Sequence, residues 1–218
     1  MMYVYIRTCT VVNLSLSRLS AVTTSRPRSR RGSGEELREA LIDTTSALLD
    51  THELDDLSVR TVTSATGVSP TALYLHFTDL TALVHEVKKR FFATLGDRMH
   101  AAAGAGDVQD RLRALGLAYL AYARDHPGHY AVIFHIDKRS AVVDDPPEDV
   151  VQAGFSALRP LIDAVAEARP RDRPQETYEV AVDLWQGLHG RAHLTAAMPW
   201  FDLSDEGRYV DRLIERII

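Results

Sequence analysis

Leu57-Ser58-Val59-Arg60-Thr61-Val62-Thr63-Ser64-Ala65-Thr66-Gly67-Val68-Ser69-Pro70-Thr71-Ala72-Leu73-Tyr74-Leu75-His76-Phe77 is the stretch on which the fold turns. Ser58 is a good N-cap residue, and Val59, Val62 and Ala65 mark one face of a two-turn helix. Gly67 can take the left-handed conformation that stops it. Ser69 then caps a second helix with Pro70 at its first position, where the missing N–H costs nothing. Leu73 and Phe77 point inward and Val68 plugs the space between the helices. Two short helices joined by a glycine turn form a helix-turn-helix unit. The first turn of its second helix, with its positive dipole end, can face a duplex. Thr71 and Ala72 are small enough to approach base edges, and either can meet a thymine methyl. Tyr74 and His76 are placed for phosphate oxygens.

The rest of the chain reads as helix around this unit. Leu37, Leu41, Thr44 or Thr45, and Leu48 recur at helical spacing from Ser33 or Gly34 to about His52. A long helix is expected from Asp79, with Leu80, Leu83, Val84, Val87, Phe91, Leu95 and Met99 as its apolar stripe. Further helices are expected from Asp107 to about His126, over Tyr130 to Ile136, and over 149–168. The last two are expected over Glu176 to Ala197 and from a Ser204 cap to Ile218. Lys138 to Glu148 and Arg169 to Pro174 read as loops. The class is all-α, in 218 residues with 45% hydrophobic and 25% charged residues, an ordinary globular composition. The expected organisation is a basic arm over 1–33, a helix-turn-helix domain over 34–93 and a helical bundle over 94–218.

Residues 57–77, and more broadly about 34–93, resemble the DNA-binding head of the TetR (tetracycline-repressor-like) family of transcriptional regulators. The Gly-Val-Ser of 67–69 and the Leu-Tyr-x-His-Phe of 73–77 carry the resemblance. Trp185-Gln186-Gly187-Leu188-His189-Gly190 is similar to the Trp-x-x-x-His-Gly element of one C-terminal class of that family. The resemblance implies a homodimer with an N-terminal reading head, a C-terminal effector-binding body, and DNA contacts from Ser58, Arg60, Ser69, Thr71, Ala72, Tyr74 and His76. It implies a repressor released from a palindromic double-stranded operator by a small effector, with the helix from Asp79 transmitting the change. Two departures stand out: Leu80 replaces a phosphate-contacting lysine, and Leu75 occupies a position that is often basic.

Charge bears on those losses. The chain carries −5 overall, yet residues 1–34 hold six arginines and no acid. Between Glu35 and Leu80 there are nine acids against Arg38 and Arg60, a poor balance for a module meeting a polyanion. The segment Ser25-Arg26-Pro27-Arg28-Ser29-Arg30-Arg31-Gly32 is therefore expected to supply phosphate contacts through Arg28, Arg30 and Arg31. A solvated tail, or a start placed too early, is the plainer reading.

Several function classes find no support. There is no Gly-x-Ser-x-Gly, no Gly-rich phosphate loop and no Cys–His arrangement, because the single cysteine, Cys9, lies in the arm. Catalysis, a cofactor and a metal site are not expected. His189 and His193 stand four apart, with His126, His129 and His135 elsewhere, but without a telling carboxylate or thiol. No apolar run reaches the length of a membrane span and no signal-peptide core is visible, so a cytoplasmic location is expected. Phe91, Tyr119, Tyr122, Tyr130, Phe134, Phe155, Trp185 and His189 are candidates to line an effector pocket; ordinary core packing is the alternative for each. His189 can orient a ligand or satisfy a buried Trp185. Gly187 and Gly190 suit a dimer seam, a pocket wall or a kink. Val180, Leu184, Leu188, Leu213 and Ile217 are expected to stay partly wet in a lone chain and to pair across a two-fold axis through the last two helices. The rival to a regulator is a soluble helical ligand carrier or enzyme with a vestigial head.

Overall fold

The computed structural model describes residues 33–104, 106–134 and 146–218, and the described residues from 33 onward belong to one compact unit spanning 32–218. Arg28, Arg30 and Arg31, and most of the expected 138–148 loop, lie outside the described residues.

Among the described residues the structure is helical, with no strand. The helices are α1 (Ser33–Leu49), α2 (Val59–Thr66), α3 (Pro70–Tyr74), α4 (Leu80–Ala102) and α5 (Val108–Asp125). They continue with α6 (Pro127–Ile133), α7 (Glu148–Ala168), α8 (Pro174–Ala197) and α9 (Glu206–Ile217), and a 3-10 turn at Leu54–Asp56 follows α1. The all-α expectation holds, with a helix-turn-helix head and a helical body.

Local signals set most boundaries. Asp79 accepts from the Ala82 amide at 2.7 Å and starts α4, and Asp107 accepts from the Gln109 amide at 2.8 Å and the Asp110 amide at 3.0 Å and starts α5. Pro127 and Pro174 sit in the first turns of α6 and α8. Asp205, not Ser204, caps α9, accepting from the Arg208 amide at 3.0 Å. Ser204 is engaged otherwise: its carbonyl accepts from Arg191 and its hydroxyl from Arg212.

α4 is the spine. Leu83, Val84, Val87, Phe91, Leu95 and Met99 are buried along it, and it packs on α1, α5, α6 and α7. Its apolar stripe runs unbroken past residue 93. At Gly96 a Cβ would stand 3.3 Å from the Ala157 Cα, so α4 and α7 cross backbone to backbone. α5 and α9 meet at Gly116, where a Cβ would be 2.8 Å from Val210.

The apolar residues of the last two helices divide. Leu184 and Leu188 are buried within the chain, where α5 and α9 close over α8. Val180, Leu213 and Ile217 stay half-buried, as expected, with Leu213 lying 2.7 Å from where a Cβ on Gly187 would be. The exposed apolar residues near the end of α8 are instead Leu194, Trp200 and Phe201.

Ion pairs tie α1 to the first half of α4. Arg38 on α1 reaches Glu86 on α4 at 2.8 Å, and Arg90 on α4 pairs with both Glu39 and Asp43 of α1. Two of the acids that weigh against the head therefore face a cation just beyond residue 80.

Candidate functional site

The helix-turn-helix forms as its sequence dictates. Ser58 is extended, with its hydroxyl accepting from the Thr61 amide at 3.1 Å. Gly67 ends α2 at φ 76°, and the Val68 amide returns to the Thr63 carbonyl at 2.9 Å. Ser69 accepts from the Ala72 amide at 3.3 Å and starts α3. Leu73 and Phe77 are buried. The inner face of α2 is Val59, Val62, Thr63 and Thr66, whereas Ala65 is exposed. Thr63 can point inward because its hydroxyl donates to the Val59 carbonyl at 2.8 Å, which leaves only its methyl to pack.

Outward, α3 presents Ser69, Thr71 and Tyr74, the last 54% exposed, and Leu75 follows at 76%. Arg60 is exposed on α2, while Ser58 and Ala72 are half-buried. His76 is half-buried against the start of α1: a Cβ on Gly34 would be 3.6 Å from its Cε1. The start of α1 thus lies beside the end of α3. An apolar interior, a capped helix start and polar side chains on the open side make a surface that can enter a groove.

The eight pocket candidates divide into groups. Tyr119, Tyr130, Phe134, Trp185 and His189 come together from α5, the end of α6 and α8. The Tyr130 hydroxyl lies 2.6 Å from His189 Nδ1 and 3.3 Å from the Tyr119 hydroxyl, which itself lies 3.2 Å from Nδ1. Trp185 Nε1–H donates to the Tyr119 hydroxyl at 3.1 Å. Phe134 stands edge-on to the His189 ring at a centroid distance of 4.5 Å. An indole N–H only donates, so an arrangement that leaves no proton idle has Nδ1 accepting from a tyrosine, and the shortest contact gives that place to Tyr130. Trp185 donates to Tyr119, Tyr119 to Tyr130, and Tyr130 to an unprotonated Nδ1. That assigns the His189 proton to Nε2, by network rather than by sight. Burial pushes the Tyr130 hydroxyl up to about 12 and holds the Tyr119 hydroxyl well above its ordinary value. Burial first, then the nearby His193, holds His189 below the usual histidine value. The cluster is uncharged at neutral pH. Phe92, not singled out by sequence, joins its edge at 6.4 Å from Phe134.

Phe91 and Tyr122 belong to a neighbouring stack. The His129 ring lies flat on Phe91 with centroids 3.7 Å apart, and His126 stacks on His129 at 5.0 Å. The Tyr122 hydroxyl donates to the Phe91 carbonyl at 3.0 Å. Phe155 is apart from both groups, 44% exposed and 6.4 Å from Tyr178.

This second stack reaches the head. His129 Nε2 lies 3.0 Å from Asp50 Oδ1, at the end of α1. At Gly128 a Cβ would fall 2.2 Å from the Leu49 carbonyl oxygen. Pro127-Gly128, which falls between the two helices expected from the sequence, is the first turn of a helix that needs no side chain there because α1 presses on it. Tyr130 lies one residue beyond His129, so a single short helix touches the uncharged cluster and the head.

Comparison with known proteins agrees with this architecture. Residues 41–87 match the model of the bacterial regulatory proteins of the tetR family, and residues 112–217 match that of a tetracyclin repressor-like C-terminal domain. An uncharacterized HTH-type transcriptional regulator of Mycobacterium tuberculosis is 24% identical over 177 residues, 81% of this chain and 78% of that protein. Among solved structures, a Rhodococcus sp. RHA1 protein of unknown function superposes with a TM-score of 0.68 at 24% identity, covering 88% of this chain and 97% of its own. A tetR-family transcriptional regulator from Streptomyces coelicolor gives 0.63 at 16% identity, over 84% and 79% of the two chains. With its capped helix-turn-helix followed by a helical body, and with both parts matched, the chain belongs to the TetR family of DNA-binding transcriptional regulators.

Proposed function

We propose that the protein is a homodimeric repressor that leaves a palindromic operator when a small effector binds its body. The observation that carries the DNA half is the capped start of α3, with Thr71 and Tyr74 open beside a buried Leu73. In this reading Thr71 and Ala72 touch base edges, while Ser58, Arg60, Ser69, Tyr74 and His76 hold the phosphate backbone. Arg28, Arg30 and Arg31 add phosphate contacts from the basic segment that precedes α1 in the sequence. A dimer through α8 and α9 is part of the proposal. One head reads too few bases to select a genomic site, and two related by a two-fold axis meet successive major grooves about 34–36 Å apart.

The effector half rests on Tyr119, Tyr130, Phe134, Trp185 and His189, in which the Trp-x-x-x-His-Gly element supplies both α8 residues. Aromatic walls with a few converging polar atoms suit a small, largely apolar molecule. Transmission runs along α4 and also through α6, whose first turn abuts Leu49 and Asp50. No reaction is assigned to the protein, and it acts in the cytoplasm.

Sequencing genomic fragments captured by the purified full chain tests the reading. Enrichment of a palindrome, with binding that weakens steeply as salt rises, is the expected result. Capture of fragments without any shared motif would sink it in favour of a carrier with an idle head.

A further inference from the structure

The face of α8 opposite His189 holds a second arrangement that the regulator reading does not use. Arg191 follows His189 by two residues, about 200° around the helix, and therefore points away from the Tyr119–Tyr130 cluster. Its side chain is almost wholly enclosed, with the residue at 8% exposure. Among the described residues one guanidinium N–H donates to the Ser204 carbonyl, the plane lies 5.3 Å from the Tyr209 ring centre, and the buried Nε has no partner. A guanidinium taken out of water without a carboxylate costs free energy that a carbonyl and an aromatic face only partly return. The same residue lines an open cleft of about 310 Å³, together with Thr195, Met198, Trp200, Phe201 and Asp202. Trp200 is 77% exposed, an unusual place for an indole in water.

We propose that this cleft between the end of α8 and the start of α9 binds a monocarboxylate with an aromatic or other apolar body. The carboxylate completes the Arg191 fork, which matches its two oxygens in plane. The body lies on Met198, Trp200 and Phe201, removing them from water. Asp202 on the same cleft disfavours multiply charged anions, so inorganic phosphate is a poor occupant. A buried guanidinium without a carboxylate, beside an exposed indole and an exposed phenyl ring, is the complement of a small acid with an apolar body.

The test is titration of the full chain with 1-naphthoate, read by Trp200 fluorescence, with Trp200→Phe marking which signal belongs to the cleft. Saturable quenching is expected, with 1-naphthamide and inorganic phosphate inactive at the same concentrations. Arg191→Lys keeps the charge but loses the fork, and weakens naphthoate by about tenfold or more. Asp202→Asn, exposed and outside the core, strengthens it. Tyr130→Phe and His189→Ala leave it unchanged, which separates this cleft from the effector cluster whether or not that cluster binds an effector. Equal quenching by the amide, an unaltered affinity in Arg191→Lys, or Trp200 emission that follows protein concentration and ignores naphthoate would each overturn the proposal. The last outcome would assign the cleft to a second copy.

Discussion

Gly128→Ala adds one methyl group at the junction of α6 and α1. The new Cβ would stand 2.2 Å from the Leu49 carbonyl oxygen, 3.2 Å from its carbon and 3.3 Å from the Asp50 Cα. All three are backbone atoms, so no side chain can swing aside. Restoring an ordinary contact requires α6 and α1 to part by about 1 Å. That separation takes the 3.0 Å His129–Asp50 contact out of hydrogen-bonding range. Overpacking of this kind costs about 1–3 kcal/mol, and the lost hydrogen bond about 1 kcal/mol more. Better helix propensity returns up to about 1 kcal/mol, leaving a net loss of about 1–3 kcal/mol. Urea unfolding of the full chain measures it, as a lower midpoint at unchanged slope. Gly104→Ala is the control, because a Cβ there meets nothing within 4 Å, and its stability should move by no more than about 0.5 kcal/mol. A Gly128→Ala protein as stable as the parent would refute the idea that this short helix is clamped to the head.

Four more outcomes are expected. His85, His129 and His189 are all held below the ordinary histidine value chiefly by burial; the unfolded chain then binds more protons as pH falls below about 6.5, so this stabilisation is present above that pH and lost below it. Thermal unfolding should drop between pH 7.5 and 5.5, less so in His129→Gln, and a flat profile would contradict the burial argument. Deleting residues 1–32 should leave the fold intact but lower the slope of log K against log salt by about 3–4 units if four arginines meet phosphates; an unchanged slope means a passive arm. Tyr74→Ala should weaken binding to all sequences alike and Thr71→Ala should alter preference, as selection from random DNA will show; the reverse pattern would exchange their roles. Gly190→Ala meets no atom of its own chain within 4 Å and should raise protomer stability by up to about 1 kcal/mol, so a weaker dimer in light scattering would place Gly190 in the subunit seam.

The head was legible because its instructions are local. Ser58, Gly67, Ser69, Asp79 and Asp107 each act within three or four residues, and each does what its type predicts. Where local reading failed, a polar residue stood where an apolar one was sought. Thr63 faces inward because its hydroxyl bonds the carbonyl one turn back, as Thr45 does on α1, where the spacing left Thr44 or Thr45 open; hydrophobicity alone gave Ala65 the place of Thr63. The acid count on the head missed Arg90, which lies outside the window yet pairs with Glu39 and Asp43. The aromatic candidates could be assigned to inner faces but not to neighbours. That Tyr130 joins His189 while Phe91 joins His129 depends on which helices cross, and spacing along one helix does not carry that information. Gly128 carries a signal, a glycine directly after Pro127 inside the first turn of α6, but the α1 backbone that it meets, at Leu49 and Asp50, is distant in sequence and leaves no local trace.

The crossing at Gly96 makes α4 a lever. Sixteen residues separate Gly96 from Leu80, about 24 Å at the α-helical rise. With bare backbone against the Ala157 Cα at 3.3 Å, this is the point on α4 least able to slide. A rocking of about 5° about such a fulcrum carries the head end through about 2 Å. The window within which a hydrogen bond to a base survives is about half an ångström wide. In the proposed repressor, a rearrangement in the body too small to disturb its own packing would thus be multiplied into one that a fixed operator cannot follow.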